Sequence, residues 1–121
     1  MDKELIDIAK STINKCFDDK KWLHTVGCAL RTKSGKIFIG VNLDGIHGSC
    51  AEVVTLATAV ANGEKEFDTI VAVYGKGNEQ KILPPCGNCR QIMYELDKDI
   101  KVIISDSEVK TIEELLPNAC I

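Results

Sequence analysis

The 121-residue sequence predicts a layered α/β domain built around a central sheet. Three observations carry that prediction. Helical and strand-like apolar patterns alternate along the chain in the order α-β-β-α-β-α-β-α. No linker, repeat or low-complexity stretch divides it. The composition, 45% hydrophobic and 27% charged, is that of an ordinary globular protein of this length, so residues 1–121 are expected to form one domain.

Leu5, Ile6, Ala9, Ile13 and Phe17 recur at helical spacing and predict an amphipathic helix from about Asp2 to Asp18. Val26 to Arg31 and Lys36 to Val41 read as two strands. Thr32-Lys33-Ser34-Gly35 between them suits a hairpin turn, with Gly35 free to take positive φ. Cys50 to Ala61 is apolar almost all round and ends at Asn62-Gly63, as helices do. A helix without a polar face is expected to be central and buried. Thr69 to Tyr74 is a β-branched run fit for an interior strand. Gly75 to Pro85 reads as a loop, and Cys86 to Leu96 as a helix burying Ile92, Met93 and Leu96. Lys101 to Ile104 reads as a further strand, and residues 108–110 are a candidate fifth. Thr111-Ile112-Glu113-Glu114 is a capping box opening a short last helix through Leu116, stopped by Pro117.

Charge and cysteine usage narrow the function classes. Net charge is −3 and the 15 basic residues are mixed with acids, so no basic face for nucleic acid is expected. Lys20-Lys21, the longest basic run, reads as a solvated turn. Met1-Asp2-Lys3-Glu4 is not an apolar signal segment, and no apolar run approaches membrane-spanning length. The expectation is therefore a cytoplasmic protein whose six cysteines stay reduced and serve metal or catalysis. Cys16, Cys28 and Cys120 have no partner at useful spacing, and Cys28 reads as a small buried hydrophobe in its strand.

The chemistry lies in Cys50-Ala51-Glu52 and, thirty-three residues on, Pro85-Cys86-Gly87-Asn88-Cys89. A structural zinc site takes four protein ligands, whereas a catalytic one takes three and keeps a position open for water. Here Cys50, Cys86 and Cys89 supply three thiols, and the Glu52 carboxylate is left over to move protons. Cys86 and Cys89 are three apart at a helix start and share a face. Cys50 and Glu52 are two apart, which on a straight helix points them in different directions. That spacing works if the metal lies beyond the helix end, with Cys50 capping the first turn and Glu52 reaching back. Two helix N-termini are thus expected to converge on one zinc, and such termini favour thiolates. Arg90 is a candidate for drawing charge off the sulfurs, a plain surface arginine being the other reading. A redox dithiol fits poorly after Pro84-Pro85 with no tryptophan adjacent. A structural zinc site with His47 or His24 as fourth ligand stays open, but it leaves Glu52 unexplained on an apolar helix. A reading of Glu52 as a mere first-turn partner of the helix dipole is the other alternative, less apt beside a metal ligand.

Over nearly its whole length the sequence resembles the cytidine deaminase family, and within it the small all-cysteine zinc branch that includes blasticidin S deaminase. The two zinc motifs carry the resemblance. Val26-Gly27-Cys28-Ala29-Leu30, Gly40-Val41-Asn42 and Glu114-Leu115-Leu116-Pro117 add weaker matches in the right order. The resemblance implies a three-layer α/β/α sandwich with a mixed sheet of about five strands. It implies that Cys50, Cys86 and Cys89 bind Zn2+ and that Glu52 shuttles protons during hydrolysis at C4 of a free cytosine nucleoside, releasing ammonia. Asn42 and Asp44 fall where the family contacts ribose, although the family residue at 44 is the longer glutamate. A homotetramer with sites shared between subunits is implied too, and the absence of a membrane-length apolar run leaves no membrane partner expected.

The departures concern substrate. His24 replaces a phenylalanine near the base, and Val53 replaces an arginine, the blasticidin branch being apolar there as well. The Gly45–Ser49 loop is short, and no aromatic follows Pro117. Besides cytidine and deoxycytidine, a cytosine-nucleoside antibiotic such as blasticidin S is therefore a candidate substrate. The alternative of another class is an inactive, zinc-stabilised structural or binding domain. His47 has two readings, pocket lining or plain loop residue.

Overall fold

A computed structural model describes residues 2–121. The first helix, α1, is Lys3–Cys16. The Asp2 side chain caps it by accepting the Leu5 N–H at 3.1 Å, and it also pairs with Arg31 of the first strand. Leu5, Ile6, Ala9 and Ile13 bury the predicted stripe, while Phe17 ends the helix as its C-cap.

Strands β1 (Val26–Thr32) and β2 (Ile37–Val41) form the expected hairpin, with Gly35 at φ 91°. They pair antiparallel from Gly27 opposite Val41 to Arg31 opposite Ile37. Helix α2 is Ala51–Ala61, β3 is Phe67–Tyr74 and β4 is Lys81–Leu83. Helix α3 (Gly87–Leu96), β5 (Lys101–Ile103), β6 (Val109–Thr111) and α4 (Ile112–Leu115) complete the order. The predicted capping box is present, with Thr111 and Glu114 bonding each other's backbone N–H.

The strands make one mixed sheet in the order β2-β1-β3-β5-β6, and β4 joins the C-terminal half of β3. Only β3 and β5 run parallel, as the crossover through α3 requires. Alternate residues of β1 and β3 serve opposite faces. Ala29, Val71 and Val73 meet Leu5, Ile6 and Ala9 of α1 on one side. Cys28, Leu30 and Ile70 meet Leu56 and Ala59 of α2, and Cys89 and Met93 of α3, on the other. That is the three-layer sandwich, with six strands rather than about five.

Three expectations need correcting. The segment Gly75 to Pro85 is not a plain loop. Gly75, at φ 92°, turns the chain back through a 3₁₀ turn at Gly77–Glu79, and β4 then pairs Leu83 with Ala72. A three-residue strand starting on an exposed lysine has too little pattern to read. Helix α2 is not buried all round. Glu52, Thr55, Leu56 and Ala59 face the sheet, but Ala57, Thr58, Val60 and Ala61 lie on an exposed, mostly apolar stripe with no cover among the described residues. On α3, Met93 is fully buried but Leu96, at the last position of the helix, is 38% exposed.

Gly40 decides how closely α2 approaches the sheet. A Cβ at this position would lie 2.5 Å from Thr55 Oγ1 and 3.1 Å from the Thr55 amide nitrogen. Thr55 cannot swing aside freely, since its hydroxyl donates to the Ala51 carbonyl at 2.8 Å. Gly40→Ala is therefore expected to cost about 1–3 kcal/mol by overpacking, measured by denaturant unfolding. Because α2 carries the site, activity should fall with it.

Candidate active site and metal centre

Two helix starts meet at one point. Cys50 is the N-cap of α2, with φ −65° and ψ 154°, and Cys86 the N-cap of α3, with φ −72° and ψ 171°. Cys89, in the first turn of α3, is fully buried. Cys86 Sγ lies 3.7 Å from Cys50 Sγ and 3.5 Å from Cys89 Sγ, and all three sulfurs fall within 4.8 Å of one another. Tetrahedral zinc with Zn–S bonds of about 2.3 Å sets its sulfurs about 3.8 Å apart. All six cysteines are free thiols, and these spacings suit a shared ion rather than a disulfide.

The electrostatics also ask for a cation. Burial above all, then the Cys86 thiol and the Glu52 charge, pushes the Cys50 thiol up against a hydrogen bond with Cys89 that draws it down. Cys89 is pushed far up by burial and by the Glu52 charge. At Cys86 burial opposes ionisation, but hydrogen bonds from the Cys89 and Asn88 backbone and from the other two thiols draw it down. The thiolate thus forms more easily at Cys86 than at Cys50 or Cys89, and a dication is what allows three. No imidazole or carboxylate joins the three sulfurs within that distance among the described residues, so a fourth position is left for a small ligand.

Glu52 projects from the first turn of α2 and is 6% exposed. Burial raises its carboxyl above the ordinary value, so it takes up and holds a proton more readily than a surface glutamate. It lines a pocket of about 470 Å³ together with Cys50 and Cys86, a volume in the usual range for small-molecule sites. Asn42, Asp44 and His47 line the same pocket. The loop that bears Asp44 and His47 is pinned at its neck, where Leu43 and Ser49 exchange backbone hydrogen bonds of 3.0 and 2.9 Å.

Asn42 has a defined orientation. Its Oδ1 accepts the Val26 N–H at 3.0 Å, so the NH2 group is the half that donates to no protein group among the described residues. Asp44 and His47 are both exposed at the pocket mouth. Arg90 is half-buried and ties elements together, with Nε donating to the Pro85 carbonyl at 2.8 Å and a terminal N–H to the Leu115 carbonyl at 3.0 Å. Its hydrogen bonds thus anchor the segment that presents Cys86. His24 is not in the pocket wall; it bonds the Asn42 carbonyl. Leu83, Pro84 and Asn88 also line the pocket and were not foreseen. Leu83 ends strand β4 and Pro84 follows it, and Asn88, between the two cysteines, carries no signal of its own in the sequence.

Comparison with known proteins gives the same reading. A family model described as the cytidine and deoxycytidylate deaminase zinc-binding region matches residues 1–105. A Bacillus cereus protein named blasticidin-S deaminase is 39% identical over 127 residues, covering 96% of this chain and 89% of its own. A cytidine deaminase of Halalkalibacterium halodurans is 36% identical, covering 78% and 75%. Among solved structures, cytidine deaminase from Burkholderia pseudomallei superposes with a TM-score of 0.80 at 32% identity, covering 98% of each chain. The chain belongs to the cytidine and deoxycytidylate deaminase family, and is a zinc-dependent hydrolytic deaminase acting on cytosine compounds.

Proposed function

We propose that residues 1–121 act as one catalytic domain that deaminates free cytosine nucleosides, turning cytidine and deoxycytidine into uridine and deoxyuridine with release of ammonia. The observation that carries this is Glu52, a buried carboxylate in the pocket beside three clustered thiols but outside their ligand set. Cys50, Cys86 and Cys89 hold the zinc, which when bound makes water available as a nucleophile near neutral pH. Glu52 would take one proton from the attacking water and give it to ring N3, then take the second from the hydroxyl added at C4 and give it to the departing amine, so that ammonia leaves as the C4 carbonyl forms. Its raised pKa suits both halves of that work. The Asn42 NH2 and the Asp44 carboxylate hold the sugar, and Arg90 fixes Pro85 and lends positive charge near the sulfurs.

Free nucleosides are favoured over nucleotides and polynucleotides by charge. No Lys or Arg lines the pocket among the described residues, while Asp44 stands at its mouth. Nucleoside 5′-monophosphates should show kcat/KM at least ~10-fold below the nucleosides, since a phosphate meets like charge with no compensating cation. Parallel assays of cytidine and its 5′-monophosphate at low salt check this. Equal rates would refute the substrate class.

Inactivation of a cytosine-nucleoside antibiotic is the second reading, favoured by the 39% identity to blasticidin-S deaminase. An inactive zinc domain is opposed by the intact Glu52. A homotetramer with shared sites is supported by the uncovered stripe on α2 and by Ile46, 99% exposed in the pocket loop. Cytoplasmic pyrimidine salvage is the proposed setting; among the described residues no helix is long and apolar enough to cross a membrane.

A further inference from the structure

His24 sits in a left-handed backbone conformation, φ 54°, and Trp22 two residues earlier does the same at φ 58°. Side chains of this size rarely take it, and two in three residues persist only where the surroundings hold them. Here they are held. Asp18 and Leu23 exchange backbone hydrogen bonds, both 3.0 Å, closing the turn before His24. Just beyond it, the Gly75 N–H donates to the Thr25 carbonyl at 3.0 Å. The turn presents the His24 ring to the end of β2, with Nδ1 2.9 Å from the Asn42 carbonyl oxygen. A carbonyl only accepts, so Nδ1 carries the proton, and it does so whether the ring is neutral or charged.

Asn42 is otherwise tied to Val26, through its own N–H at 3.3 Å and through Oδ1 at 3.0 Å. We infer that His24 is a positioning residue, whose Nδ1–H holds the Asn42 main chain and thereby sets where the Asn42 NH2 stands in the pocket. The inference rests on the proposed substrate contact of Asn42.

Three variants separate this role from simple packing. His24→Gly removes the donor and relieves the backbone. His24→Phe keeps a ring but no donor. His24→Asn keeps an N–H at the same place along the side chain and tolerates the left-handed backbone. The substrate is whichever of cytidine, deoxycytidine or blasticidin S the enzyme turns over fastest. His24→Gly and His24→Phe should raise its KM about 5- to 10-fold, the worth of one hydrogen bond to a positioned group. Both kcat and zinc content should stay within about 2-fold, and His24→Asn should restore KM to within about 2-fold of wild type. In an Asn42→Ala background, His24→Gly should add nothing. An unchanged KM in His24→Gly, a His24→Asn no better than His24→Phe, or a loss confined to kcat or zinc content overturns the inference. An unchanged KM in Asn42→Ala overturns the substrate contact itself and the inference with it. A raised KM in Asn42→Ala with none in His24→Gly overturns the inference alone.

Discussion

Replacing Glu52 with Gln should lower kcat on the preferred nucleoside by about 10³- to 10⁴-fold, the upper half of the range for loss of one proton-transfer group. Zinc content should not change, because the three thiols stand apart from Glu52 as a ligand set. The shape of the side chain is kept, so any large loss reports the proton and not the packing. The same variant carries a stability prediction of opposite sign. A carboxyl whose folded-state pKa is raised contributes stability at low pH that is lost as pH rises through the folded value. Glu52 is such a group, raised from 4.5 by burial. In metal-free protein, Glu52→Gln should therefore melt no lower than wild type at neutral pH, and its relative advantage should grow as pH rises above 4.5. Full activity in Glu52→Gln would remove this residue from the mechanism.

Loss of the metal is the second large effect. Cys89→Ser places a weaker zinc ligand at a fully buried position. It should leave the purified protein with well under one zinc per chain and at least ~10³-fold less active. Chelation of wild type should do the same reversibly. It should also lower the melting temperature, because ligand at 1,000 times its Kd stabilises the folded state by about 4 kcal/mol. Metal analysis, activity and melting curves on one sample, before and after zinc is returned, check all three. Persistent activity in demonstrably zinc-free protein would take zinc out of the reaction.

Much of this site was legible before any coordinates, for a physical reason. The spacing Cys50-x-Glu52 conflicts with a ligand pair on one helix face, and the only resolution was a metal lying beyond the helix end. The N-cap positions of Cys50 and Cys86 are that resolution. The three thiols stand out by their spacing, and Glu52 because a carboxylate is costly in an apolar setting without a use. What stayed hidden depends on contacts with no residue signature. Strand β4 forms because Gly75 reverses the chain beside β3, a decision made by pairing rather than by propensity. The exposed side of α2 could not be separated from its buried side, since alanine, valine and threonine occupy both. Arg90 was read through its neighbour in sequence, Cys89, whereas its hydrogen bonds run to Pro85 and Leu115. In the sequence His24 is only a departure from the family's phenylalanine, and the left-handed turn that aims it at Asn42 is held by backbone pairs of Asp18 with Leu23 and Thr25 with Gly75.

The central claim is that Glu52, beside a three-thiol zinc site, drives hydrolytic deamination of a free cytosine nucleoside. The most direct test follows cytidine, deoxycytidine and blasticidin S by ultraviolet absorbance with the purified, zinc-loaded protein, using Glu52→Gln as the blank and ammonia release as the second readout. Turnover of cytidine or deoxycytidine with stoichiometric ammonia, absent in the blank, is the expected result. No turnover of either nucleoside by protein shown to carry one zinc per chain, or equal turnover by the Glu52→Gln blank, would contradict the claim.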